Sequence, residues 1–207
     1  KRIGAVGLGA GEIACYRTEG QAWTFFEIDP AVVRISTSGN WFHFLPDCTP
    51  DARIVIGDGR LTLLREPAAH YDLLVLDAFA SDSIPTHLVT REAIKLYFDK
   101  LAPRGVILVH ISNRYLNLEP ALAAIAADGK LAARLFDTDA AKPDPAYPMR
   151  FKTVWVALAR DEAGLTSFTE AFDKSSPSSW GHWRRLKERV GVRVWTDDYS
   201  NIISVLR

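Results

Sequence analysis

The chain has 207 residues, 48% of them hydrophobic, and 25 Lys plus Arg set against 25 Asp plus Glu. That length and apolar content suit one domain with a sizeable core, and zero formal net charge removes the general electrostatic case for nucleic acid or an anionic membrane surface as partner. No apolar run reaches the roughly 18 residues that a membrane helix needs, and no secretory leader opens the chain, so the expectation is a cytoplasmic domain.

Residues 3–6 are apolar and read as a first strand, beginning so soon after Lys1 that we expect further chain ahead of it in the full protein. Gly7-Leu8-Gly9-Ala10-Gly11 follows, a turn in which glycines let backbone pass close to a ligand. A helix over 12–18 and a strand over 22–27 come next, and the second strand closes on Glu27-Ile28-Asp29. Strand, glycine turn, helix and an acid at the next strand end make a nucleoside-binding layout, the acid standing where a ribose diol would meet a carboxylate. Gly7, Gly9, Gly11, Glu27, Ile28 and Asp29 are therefore candidate nucleoside contacts, with Asp29 alternatively capping the helix expected over 30–36.

A third strand over 52–56 leads to Gly57-Asp58-Gly59 and a helix over 59–65. Asp58 reads either as an N-cap or as the partner of an adenine amino group, and Gly59 goes with it. The fourth strand, 73–76, ends at Asp77, beside the place where open α/β sheets bind substrates. An acid there suits proton abstraction from an amine or the steadying of a cation, and Asp77 is the candidate catalytic residue. A helix over 91–101, a strand over 105–110 ending in His110, and a helix over 119–128 complete five β-α units.

The rhythm then changes. Strand-like runs 131–136 and 152–158 are joined by a proline-containing linker without a helix, so they should pair antiparallel. Helices over 165–172 and 180–190 and a β-rich run 202–206 finish the chain. The basic stretch 182–189 is scattered round a solvated helix face by helical spacing, and no nucleic-acid partner is expected. The fold class is α/β: a doubly wound, mostly parallel seven-stranded sheet with an antiparallel C-terminal hairpin. The two cysteines, Cys15 and Cys48, form no CxxC pair and are expected as reduced, buried thiols. His43, His70, His87 and His110 show no ligand spacing, so no metal is expected.

The glycine turn, Glu27-Ile28-Asp29, Gly57-Asp58-Gly59, the segment from Tyr71-Asp72 to Asp77 and Leu101-Ala102-Pro103-Arg104-Gly105-Val106 together resemble the spermidine synthase family of aminopropyltransferases, over about the first 110 residues. Single elements are shared with adenosylmethionine-dependent methyltransferases. Residues 81–88 and 195–201 look like the bacterial branch that follows a membrane-spanning region. The resemblance implies decarboxylated S-adenosylmethionine as co-substrate, a small cationic amine as acceptor, Glu27 on the ribose, Asp58 on adenine and Asp77 as base. Asp82, His87, Asp197, Asp198 and Tyr199 are the candidate acceptor-site residues, with Trp41, Phe42 and Trp195 as further aromatic walls. A homodimer is open to such a chain. Where the family carries an acid in the glycine turn this chain has Ala10, and where a second acid follows the base it has Ala80, with Asp82 two residues on. Ala10 makes room for intact S-adenosylmethionine, so methyl transfer is the second expectation and a non-catalytic nucleoside-sensing domain the third.

Overall fold

The computed structural model describes residues 1–79, 84–138, 153–175 and 181–206. Among these residues eight strands form one sheet: β1 (Arg2–Val6), β2 (Ala22–Glu27), β3 (Arg53–Ile56), β4 (Tyr71–Leu76), β5 (Leu101–His110), β6 (Ala132–Asp137), β7 (Val154–Ala159) and β8 (His182–Arg184). Their order is β3-β2-β1-β4-β5-β7-β6-β8. The first five are parallel, and β7 and β6 return antiparallel beside β5. The expected hairpin is therefore present, and the sheet has one strand more than the seven expected, because β8 adds a third antiparallel pairing, on β6.

Among the described residues, six α-helices accompany the strands: α1 (Pro30–Thr37), α2 (Phe44–Cys48), α3 (Gly59–Leu64), α4 (Arg91–Lys100), α5 (Glu119–Asp128) and α6 (Glu162–Ser175). Strand alternation explains why both faces need cover. Ile3, Ala5, Trp23, Phe25 and Val75 point to one side, where Val32 and Val33 of α1 and Leu45 of α2 pack on them. Val6, Phe26, Leu74 and Leu76 point to the other, against Ala93, Ile94 and Tyr97 of α4 and Leu122 and Ile125 of α5. Each such large side chain taken fully from water contributes roughly 1.5–3 kcal/mol.

The helix starts follow local chemistry. Asp29 accepts from the Ala31 amide at 2.7 Å with Pro30 opening α1, Asp58 accepts from Leu61 at 2.9 Å to open α3, and Thr90 caps α4 through Ala93 at 3.2 Å.

Two expectations in the C-terminal third fail. Residues 181–190 are not helical: His182–Arg184 is β8, its Trp183 packing on Phe136 and Phe172, and the rest is irregular. Residues Ile202–Val205 form a 3-10 turn rather than a strand, and Leu206 makes a single bridge with Leu116. The residues after Gly11 are likewise a 3-10 turn, Glu12–Tyr16, instead of a full helix.

The cysteines also differ from expectation. Cys15 and Cys48 form a disulfide with Cα atoms 4.9 Å apart. The short helix α2, unseen in the sequence pattern, lies against the Glu12–Tyr16 turn and carries Cys48 onto Cys15; Cys15 is exposed and Cys48 half-buried. Among the described residues, no helix is long and apolar enough to cross a membrane.

Candidate functional site

The sheet reverses its winding at β1, which has β2 on one side and β4 on the other. Chain leaving β1 crosses towards β2 and β3, whereas chain leaving β4 crosses towards β5, so a crevice opens at the carboxyl ends of β1 and β4. Five candidate positions stand along that edge in strand order: Asp58 after β3, Glu27 on β2, the glycine turn after β1, Asp77 after β4 and His110 ending β5. The ladder extends beyond the strand ends. Gly7 donates to Phe26 O, Gly57 to Glu27 O and Asp77 to Val6 O, each at 2.8 Å.

The glycines of the turn have different tasks. Gly7 (φ +96°) and Gly11 (φ +86°) have left-handed backbone; a Cβ on Gly7 would collide with the Asp77 carbonyl, and one on Gly11 would press on Leu45 at 3.2 Å. Gly9 (φ +52°) has nothing within 4 Å of where its Cβ would lie and so faces open space. Gly59 lies against Val6 with no room for a methyl group, so helix packing explains it without a ligand.

Glu27 is buried, and it is partnered from within: Oε2 accepts from the Leu8 amide and Oε1 from the Asp29 amide, both at 2.9 Å. Each oxygen retains a lone pair, enough for a diol. Next to it Ile28 is 67% exposed, an apolar surface at the mouth of the crevice. Asp29 is taken up with capping α1. Asp58 caps α3 through Oδ1, and its Oδ2 lies 3.1 Å from His87 Nε2. A cavity of about 450 Å³ lined by Asp58, Arg60, Leu61, Leu64, His87 and Leu96 opens there.

Asp77 is one-third exposed and bonded to His110, Oδ1 to Nδ1 at 2.7 Å. The pairing follows from register: Leu76 stands opposite Val109, so the next residues, Asp77 and His110, are side by side. In the sequence His110 read either as a proton relay or as a packing or capping residue; the signal for its pairing with Asp77 was that β4 and β5 both end in titratable residues. Phe79, 38% exposed, meets the His110 ring edge-on with centroids 4.9 Å apart.

The other acceptor-site candidates are dispersed. Asp82 lies outside the described residues. His87 faces Asp58. Both oxygens of Asp197 are held by Arg60, at 2.7 and 2.6 Å, and Thr90 also donates to one of them at 2.7 Å. That hydrogen-bonded guanidinium is the main reason the Asp197 carboxyl sits below the ordinary carboxylate range, with burial opposing. Asp197 thus clasps the C-terminal segment to α3 and α4. Asp198 is exposed, and the Tyr199 ring lies under the Arg193 guanidinium at 4.5 Å. Trp195 is wholly buried in the core and forms no pocket wall, whereas Trp41 is 76% and Phe42 37% exposed. No group of three His, Cys, Asp or Glu among the described residues is arranged to hold a metal ion.

The fold is that of the adenosylmethionine-dependent methyltransferases, five parallel strands closed by an antiparallel pair, with the winding reversed at β1. No family model matches the chain. It is 32% identical over 115 residues to the polyamine aminopropyltransferase of Vibrio vulnificus, a match that takes in 53% of this chain and 37% of that protein. Among solved structures, a probable spermidine synthase from Corynebacterium glutamicum aligns with 96% of this chain and 73% of its own, at a TM-score of 0.65 and 17% identity. Human methyltransferase-like protein 13 in complex with SAH aligns with 86% of this chain and 84% of its own, at 0.55 and 18%. The structural matches are matches of fold.

Proposed function

We propose that this chain is the nucleoside-binding and catalytic portion of a spermidine synthase-like aminopropyltransferase, using decarboxylated S-adenosylmethionine and a small cationic amine. The observation that carries the reading is Asp77, a partly exposed carboxylate at the β1/β4 switch point, one strand from Gly9 and two from Glu27. In this reading Glu27 takes the ribose hydroxyls, Ile28 and Asp58 border the adenine, Gly9 gives room for the sulfonium tail, and the crevice between β1 and β4 admits the amine. Asp77 takes a proton from the amine, whose freed lone pair attacks the carbon next to sulfur. The new C–N bond forms as the C–S bond breaks, the electron pair stays on sulfur, and methylthioadenosine leaves. The sulfonium is already activated, so orientation and one base are the main demands on the protein. The Vibrio vulnificus relative supports this reaction.

Methyl transfer from intact S-adenosylmethionine is the second reading, favoured by Ala10, which leaves the turn without an acid to hold an aminopropyl ammonium. Calorimetric titration with each sulfonium separates the two, and product analysis with di- and polyamines tests the first. Asp77→Asn should retain nucleoside affinity within about threefold and lose at least about 100-fold in turnover. An unchanged turnover would remove Asp77 from the reaction, and retained binding without product from any acceptor would leave a nucleoside-sensing domain.

A further inference from the structure

His110 carries more detail than a charge partner would. Its Nδ1 lies 2.7 Å from Asp77 Oδ1 and its Nε2 lies 2.7 Å from Ser112 Oγ. Ser112 Oγ also accepts from the Val154 amide at 2.8 Å. That amide can only donate, so the Ser112 hydroxyl hydrogen is free to point at Nε2. With Nε2 accepting, Nδ1 carries the ring hydrogen and donates it to Asp77. The ring plane is fixed too. Trp155, opposite His110 in the β5–β7 register, stacks on it with centroids 4.2 Å apart and planes 9° from parallel, and Phe79 meets it edge-on. The imidazole is only 17% exposed and its partners come from strand ends, so its orientation is built into the sheet.

We propose that His110 is a positioning residue for Asp77, with Ser112 and Trp155 setting its ring hydrogen and its plane. Its Nδ1–H holds Oδ1, so Asp77 presents Oδ2 to the acceptor amine. A carboxylate at the end of a strand otherwise rotates about χ2, and most of its orientations aim neither oxygen at the attacking nitrogen. The inference rests on the proposed transfer reaction for its kinetic consequence; the geometry of the ring does not depend on it.

The test uses the whole chain and three variants, His110→Leu, His110→Asn and Ser112→Ala, each checked for an unaltered thermal transition. Asn places an N–H donor where Nδ1 stands, whereas Leu fills space without one. His110→Leu should lower kcat about 10- to 100-fold, the range for losing a hydrogen bond to a charged group, with nucleoside affinity unchanged. His110→Asn should recover most of that loss. A merely structural ring predicts equal damage from both variants, and that result, or a wild-type kcat in His110→Leu, overturns the proposal. Nitrogen-15 spectra of the imidazole give a readout independent of turnover: hydrogen on Nδ1 in the wild type, shifting towards Nε2 in Ser112→Ala. A bare Nδ1 in the wild type also overturns it. Wild-type protein that transfers nothing from either sulfonium defeats the reaction proposed above, and the spectra then decide the positioning alone.

Discussion

At the residue scale, three glycines in one turn meet three different surroundings, and the difference is measurable. Gly7→Ala sets a methyl group against the Asp77 carbonyl at φ +96°, so the β1–β4 contact must open. A cost of about 2–4 kcal/mol in denaturant unfolding and loss of nucleoside binding are expected. Gly9→Ala meets open space at φ +52°, so about 1 kcal/mol from left-handed backbone is expected, with weaker binding of the sulfonium because the methyl group enters its room. Equal stability losses at both positions would contradict this division. The sequence singled out these glycines and the acids at strand ends as candidates, because residue type and spacing are local. Which glycine faces open space and which faces Asp77 depends on pairing between β1 and β4, about 70 residues apart in the chain. Glu27 shows the same limit: residue type and spacing offered a ribose diol as its partner, and the Leu8 and Asp29 amides that it also accepts from come from the fold.

At the element scale, the β-α units and the hairpin were legible because apolar runs, caps and turn glycines recur along the chain at short range. The exceptions are short or governed by distant contacts. Helix α2 spans only Phe44–Cys48 and contains Pro46, too little periodicity to register. His182–Arg184 looked helical from its charge spacing, but Trp183 fits among Phe136, Phe168 and Phe172, and edge pairing with β6 overrides the local preference. The disulfide was missed for the same reason, since it requires α2. It closes a loop of 33 residues between the start of the β1–β2 crossover and the end of α2. Loop-closure entropy gives such a link about 3–4 kcal/mol. Reduction, or Cys15→Ser with Cys48→Ser, should lower unfolding free energy by about 2–4 kcal/mol, read from urea curves with and without reductant. A shift below about 0.5 kcal/mol would mean that the helix and the turn hold together without the bond.

At the scale of the whole molecule, ion pairs fasten distant segments, and three carboxylates pay a role in its response to acid. Glu66 is lowered chiefly by its bond to Arg53, against burial. For Glu119 burial pushes upward, but hydrogen bonds from Arg184 and the Lys187 amide outweigh it and hold the carboxyl low. Asp197 is lowered by Arg60. A carboxyl depressed in the folded state binds protons more readily in the unfolded chain. Its stabilisation is complete above the unfolded range, roughly pH 4–4.5, and is lost as pH falls through the lower folded values. Urea midpoints should therefore hold steady from about pH 7 to 5 and drop below about pH 4.5, and Glu119→Gln should flatten part of the fall. A midpoint unchanged at about pH 3.5 would show that these pairs contribute nothing to folding.

The three amides of Gly7, Gly57 and Asp77 are placed by sequence in loops, yet each donates to a neighbouring strand at 2.8 Å. In deuterated water they should exchange on the schedule of strand interiors, released only when a large part of the sheet opens, not within the short lifetime of an ordinary loop proton. Rapid labelling of these amides would show an edge that frays independently. Slow labelling would mean that the carboxyl edge and the folded sheet share one cooperative transition, so that conditions which preserve the sheet preserve the spacing of Glu27, Gly9 and Asp77 with it.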